Sequence, residues 1–197
     1  MAAPICRGHA KPINMDNEDI LTKDTILAAL RRLDALLCEQ GIIGEICIFG
    51  GAAMVLAFDA RESTRDVDAV FVPKDKVLDC ARQVAKEFEL DEDWMNNGVK
   101  GFISDKAEVT HEGMPVFDNL RVLRPTTEYL LAMKCLASRV ASQGIKGDRA
   151  DVITLLHILK LYNASAVCDL VSKYYSERLL APKVRFFIEE IVEEIRP

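Results

Sequence analysis

A chain of 197 residues, 50% apolar and 28% charged, carries enough apolar material for one buried core, either a single compact domain or a core with a helical extension. Its formal charge of −6 argues against broad, non-specific nucleic-acid binding, although Arg61, Arg65, Lys134, Arg139, Lys146 and Arg149 are candidates for a local basic patch. No apolar run reaches bilayer-spanning length, no signal-peptide core is visible, and the six cysteines stand singly without a Cys-x-x-Cys pair, so the expectation is a cytoplasmic protein with reduced thiols and no membrane partner.

In chain order, residues 1–15, with Pro4 and Pro12, read as an irregular arm. Apolar residues at helical spacing predict a helix over 24–40, capped by Thr22 or Asp24 and ended by Gly41. A short buried strand over 46–49 runs directly into an apolar helix over 52–58. A polar loop then leads to a second strand over 67–72, stopped by Pro73. Residues 74–87 are amphipathic and helical, and 90–98 are acidic and turn-like. Strands are expected over 99–104, 108–111 and 120–123, and helices over 126–142, 148–161, 163–175 and 182–195. The fold class is therefore α+β: a small mixed sheet with flanking helices over 16–124, then a helical region over 125–197.

The chemistry concentrates between residues 46 and 68. Gly50-Gly51 closes the first strand, and Asp66-x-Asp68 opens the second. Side chains alternate along a strand, so Asp66 and Asp68 point the same way. Two adjacent carboxylates repel unless a cation lies between them, usually Mg²⁺. A glycine turn at a helix N-terminus beside such a pair makes a place for a metal-bound triphosphate. Arg65 serves either to contact phosphate or to hold one of the two aspartates as an ion-pair partner. Arg61 reads as a solvated charge. Lys134 interrupts an apolar helical stretch, Asp148 suits a helix cap, and Asp151 lies one turn further in, where it could face Lys134. The segment Trp94-Met95-Asn96-Asn97 either lines a cleft or lids the sheet, and His157 reads as a residue at the core edge.

The pattern "IFGGAAMVLAF…STRDVDAVFV" resembles the signature of the DNA polymerase β-like nucleotidyltransferase superfamily. Together with "PTTEYLLAMKCLASR…KGDRADVITLL", it is most similar to the small prokaryotic branch that includes the AbiEii-type and MenT toxins. The resemblance covers roughly residues 45–156. It implies a nucleotidyltransferase core in which Asp66 and Asp68 hold divalent ions and Gly50, Gly51, Arg65 and Asp148 adjoin the nucleotide. Lys134 would meet the triphosphate, and Asp151 would orient Lys134 or the base. It further implies transfer of a nucleoside monophosphate from an NTP to a hydroxyl of RNA, a tRNA acceptor end included, or of a protein, with a cognate antitoxin as partner and self-association open. A third carboxylate found in many superfamily members has no convincing counterpart here, Glu108 and Asp118 being the candidates. The alternative is a catalytically silent nucleotide- or protein-binding member of a toxin–antitoxin pair.

Overall fold

The computed structural model describes residues 20–137 and 146–196. The expected arm over 1–15, Arg139 and the side chain of Lys146 lie outside the described residues. Strand β1 (Leu21–Thr22) leads into helix α1 (Lys23–Glu39), whose N-cap is Thr22: its Oγ1 accepts the Thr25 N–H at 3.2 Å. At the other end Gly41, at φ +65°, turns the chain so that the Ile42 N–H returns to the Leu37 carbonyl at 2.9 Å. Ile26, Leu30, Leu33 and Leu37 fall on one buried stripe of α1 because they recur at three- and four-residue intervals.

The centre of the fold is β2 (Gly44–Ile48), which passes through Phe49 into α2 (Gly50–Phe58). The loop beyond carries β3 (Ser63–Thr64), paired antiparallel with β1, before β4 (Val67–Val72) and α3 (Lys74–Phe88). Three further strands follow: β5 (Met95–Asn96), β6 (Val109–Thr110) and β7 (Leu120–Pro125). They assemble a five-stranded mixed sheet in the order β5-β4-β2-β7-β6. Pairing is antiparallel between β2 and β4 and between β6 and β7, and parallel between β2 and β7 and between β4 and β5.

The two faces of this sheet differ. Ile46, Ile48, Ala69, Phe71, Leu120 and Val122 share one face and are buried against α1 and α3, which also pack on each other. Gly44 on that face sits so close that an added Cβ would lie 2.8 Å from Leu37 Cδ1. The other face carries Asp68, Val70 and Val72 on β4, Glu45 and Cys47 on β2, and Arg121, Leu123 and Pro125 on β7. Helix α4 (Thr127–Ala137) packs against β7, and α5 (Lys146–Leu159), α6 (Ala164–Tyr174) and α7 (Pro182–Ile195) gather around it. Cys47 and Cys135 are both buried, as expected of thiols set in apolar elements.

Two expectations are corrected, and for Trp94 and Met95 the lid alternative holds. Residues 98–102 form a 3₁₀ helix instead of a strand: Gly98 and Gly101 leave no alternation to extend, and the Lys100 N–H closes a tight turn on the Asn97 carbonyl at 3.1 Å. His157 is exposed rather than at the core edge, with its ring beside Tyr162. Trp94 and Met95 are buried, the indole N–H donating to the Ala81 carbonyl at 3.0 Å, so only the asparagine side of that segment is left for a cleft. In α7, Val184, Ile188 and Ile191 turn inward and Phe186 outward.

Leu33 is fully buried in α1. Leu33→Ala is expected to lower unfolding free energy by about 2–5 kcal/mol, measured by urea denaturation with an unchanged m-value.

Candidate functional site

Asp68 stands on β4 and Asp66 just ahead of that strand, two residues back and therefore on the same side. Both are partly buried. Burial, and then the neighbouring Asp66 carboxylate, push Asp68 above the usual carboxylate range, while the Lys134 charge pulls it back. The carboxylate pair is thus held together at an electrostatic cost. Asp66 is oriented from the adjacent strand: Asn96 Nδ2 donates to Asp66 Oδ2 at 2.9 Å, and the Gly98 N–H donates to Asn96 Oδ1 at 2.8 Å. Asn96 stands in register with Asp68 on β5.

The two glycines make room for this arrangement. Gly50 has φ +61°, and an added Cβ would lie 3.1 Å from Asp68 Oδ2. A Cβ on Gly51 would lie 2.5 Å from Thr64 Oγ1 and 3.3 Å from Arg61 Nη1. The space that glycine leaves is filled by the protein's own polar side chains, and the first turn of α2 opens beside the carboxylate pair.

A second cluster lies behind the first. Asp151, at 1% exposure on α5, accepts Arg61 Nε on Oδ1 and Arg61 Nη2 on Oδ2, each at 2.6 Å. Lys134 Nζ, on α4, lies 2.7 Å from Asp151 Oδ2 and 2.7 Å from Asp148 Oδ1. Arg61 Nη2 also stands 3.6 Å from Asp148 Oδ1. Both oxygens of Asp151 are therefore engaged by cations, which fits it to position Lys134 and Arg61. Asp148 lies inside the first turn of α5, not at its cap, and joins the lysine.

The structure thus brings together Gly50, Gly51, Asp66, Asp68, Lys134, Asp148 and Asp151, with the Lys134 charge felt at Asp68. Arg65 is exposed and forms no ion pair among the described residues, so its alternative as partner of Asp66 or Asp68 is not realised. Two residues take roles that the sequence reading did not assign them. Arg61 is no solvated charge: its partner lies 90 residues away and no local pattern points to it. Asn96 is set by the register of a two-residue strand. Neither candidate third carboxylate reaches the site by pairing: Glu108 accepts from Tyr174 and Lys173, Tyr174 Oη lying at 2.6 Å, and Asp118 precedes β7 in a loop. On β7, which β2 separates from β4, the residues on the same face of the sheet as Asp68 are Arg121, Leu123 and Pro125, none of them acidic.

The donor set suits a divalent cation of the magnesium type. Among the described residues no group of three or more His, Cys, Asp or Glu is placed to hold one metal ion, so Asp66 and Asp68 stand as a pair. A hard cation held by one or two carboxylates completes its shell with water and substrate phosphates. A separate cavity of about 440 Å³ lies between α1 and residues 113–117, lined by Leu27, Arg31, Leu56, Met114 and Phe117. It has no carboxylate and no part in the charged cluster. Among the described residues no single helix is long and apolar enough to cross a membrane.

Comparison with known proteins gives no match to any family model, curated protein or solved structure.

The carboxylate pair sets a stability test. Because Asp68 binds its proton more tightly folded than unfolded, its contribution favours the folded state at low pH and is lost as pH rises through its raised folded value. Asp68→Asn is therefore expected to raise the thermal midpoint at pH 7, with the gain shrinking toward pH 4 and below. Added Mg²⁺ should raise the midpoint of the parent protein and leave that of Asp68→Asn unmoved.

Proposed function

We propose that the protein is a minimal nucleotidyltransferase of the polymerase β-like superfamily, similar to the AbiEii and MenT toxins. It would move a nucleoside monophosphate from an NTP to a hydroxyl of RNA, of a tRNA end, or of a protein. The observation that carries this reading is the convergence of Asp66 and Asp68 with the Gly50-Gly51 turn and with Lys134, whose charge acts on Asp68. Asp66 and Asp68 would hold Mg²⁺, which when bound neutralises the triphosphate and lowers the pKa of the acceptor hydroxyl.

The chain's own residues have separate tasks. Asn96 holds one oxygen of Asp66 through its side-chain amide and leaves the other without an Asn96 contact. The backbone N–H groups at the start of α2 and their aligned dipoles favour phosphate oxygens. Asp151 and Asp148 hold the Lys134 ammonium in place, and Lys134 offsets charge developing on the departing pyrophosphate. Arg65, exposed at the rim, suits contact with an outer phosphate or with the acceptor. A cytoplasmic setting, a toxin–antitoxin or phage-defence role and a cognate antitoxin as partner come with the family reading. The outward Phe186 on α7 leaves self-association open.

A second reading rests on the non-acidic face of β7. Without a third carboxylate beside Asp68, the same site serves a silent nucleotide-binding partner.

The test is transfer of label from each α-labelled NTP, with Mg²⁺ and total RNA. The parent protein is expected to label RNA or itself, and the Asp66→Ala/Asp68→Ala double variant to lose at least about 10³-fold in rate, with Lys134→Ala losing about 10²-fold. Nucleotide binding by calorimetry without any transfer would select the silent partner. Neither binding nor transfer would overturn both.

A further inference from the structure

Resting on the nucleotidyltransferase reading, we infer that Arg61 is a second phosphate-binding cation, paired with Lys134 through Asp151 to form one two-pronged clamp for the triphosphate. The guanidinium has two working edges. Nε and Nη2 are committed to the two oxygens of Asp151, at 2.6 Å each, which locks the plane of the fork. Nη1 points the other way, toward Gly51, where it lies 3.3 Å from the place a Cβ would take. That is the first turn of α2, where backbone N–H groups have no partner within the helix.

Lys134 shares Asp151 Oδ2 with Arg61 Nη2. The two cations are thus held side by side by one carboxylate at 1% exposure, and their mutual repulsion is offset by Asp151 and Asp148. Two fixed positive groups beside a helix N-terminus match adjacent phosphoryl groups of a polyphosphate, and a planar fork held by one edge presents its free edge without losing rotamer freedom on binding. The bidentate bond also explains why an arginine stands here: a lysine could not engage both oxygens of Asp151 with a planar fork and still present a fixed outer edge. Arg61 reaches this place from a loop and Lys134 from a helix of the C-terminal half, so the clamp closes across both halves of the chain.

The test uses inorganic tripolyphosphate, which carries the phosphate chain without a base. Its affinity is measured by calorimetry with Mg²⁺ for the parent protein, Arg61→Gln, Arg61→Lys and Lys134→Gln. Gln keeps a donor for Asp151 and removes the charge and fork. Mn²⁺ affinity, read by electron paramagnetic resonance, and the thermal midpoint are followed alongside. The expected result is a loss of about 10–100-fold in tripolyphosphate affinity for Arg61→Gln, partial recovery in Arg61→Lys, and Mn²⁺ affinity within about twofold of the parent. Parent-like tripolyphosphate binding by Arg61→Gln, with loss in Lys134→Gln, would overturn the role of Arg61 and leave the nucleotidyltransferase reading standing. Equal loss of Mn²⁺ and tripolyphosphate in Arg61→Gln would make Arg61 a structural residue and overturn the inference. Failure of the parent protein to bind tripolyphosphate or any NTP would remove the functional reading itself.

Discussion

Everything around the candidate site is arranged about one carboxylate that has almost no contact with water. Asp151 is 1% exposed, and a buried carboxylate is tolerable only when charged donors replace the water it has lost. Arg61 and Lys134 supply them, and each then fixes the element that carries it. The loop after α2, helix α4 and helix α5 are thereby held in one relative placement by groups whose geometry is far more directional than apolar contact. Removing either cation would leave the carboxylate partly uncompensated, a change that generally costs about 3–5 kcal/mol when a buried pair is broken. The packing of the helical region against the sheet and the preparation of the site are therefore the same event.

The sheet makes the complementary contribution. Its α1/α3 face is sealed by aliphatic and aromatic side chains, which leaves polar residues of β4 only the opposite face to occupy. Asp68 takes that face at the level where β2 ends, and the Phe49 N–H donates to the Asp68 carbonyl at 2.8 Å. The chain must turn there into α2 without a side chain striking the carboxylate. Gly50, with its positive φ and 3.1 Å approach to Asp68, meets both demands, and Gly51 admits Thr64 and Arg61. The glycines are better explained by the side chains they accommodate than by a phosphate alone.

These relations account for what could be read in advance. The strand over 67–72 and the helix beginning at its proline stop were visible because apolar periodicity and a backbone breaker are local signals. The aspartate pair was visible because two acids heading an apolar strand contradict strand preferences. The roles of Arg61 and Asn96 were not legible for a shared reason: each comes only from pairing between distant segments, one through an ion pair to α5 and the other through the register of β5 on β4. The 3₁₀ turn at Gly98–Phe102 was misread as a strand because Val99 and Phe102 supplied apolar character without a period that glycine-rich chain could sustain. The two-residue strands β1 and β3 are too short to carry any period at all.

Charge balance in the cluster constrains the order in which ligands could enter. Asp66, Asp68, Asp148 and Asp151 bring four negative charges, and Arg61 and Lys134 bring two positive ones, so the six residues sum to −2. The two positive charges already face two of the aspartates, which leaves the field at Asp66 and Asp68 negative. A polyphosphate approaching this centre alone meets that field, whereas a divalent cation is drawn to it and reverses its sign locally. On the proposed function, occupation of the carboxylate pair and capture of a polyphosphate by Lys134 and Arg61 would be linked, each raising the affinity of the other by the same factor. The cost stored in bringing Asp66 and Asp68 together without a cation is what a bound cation would release.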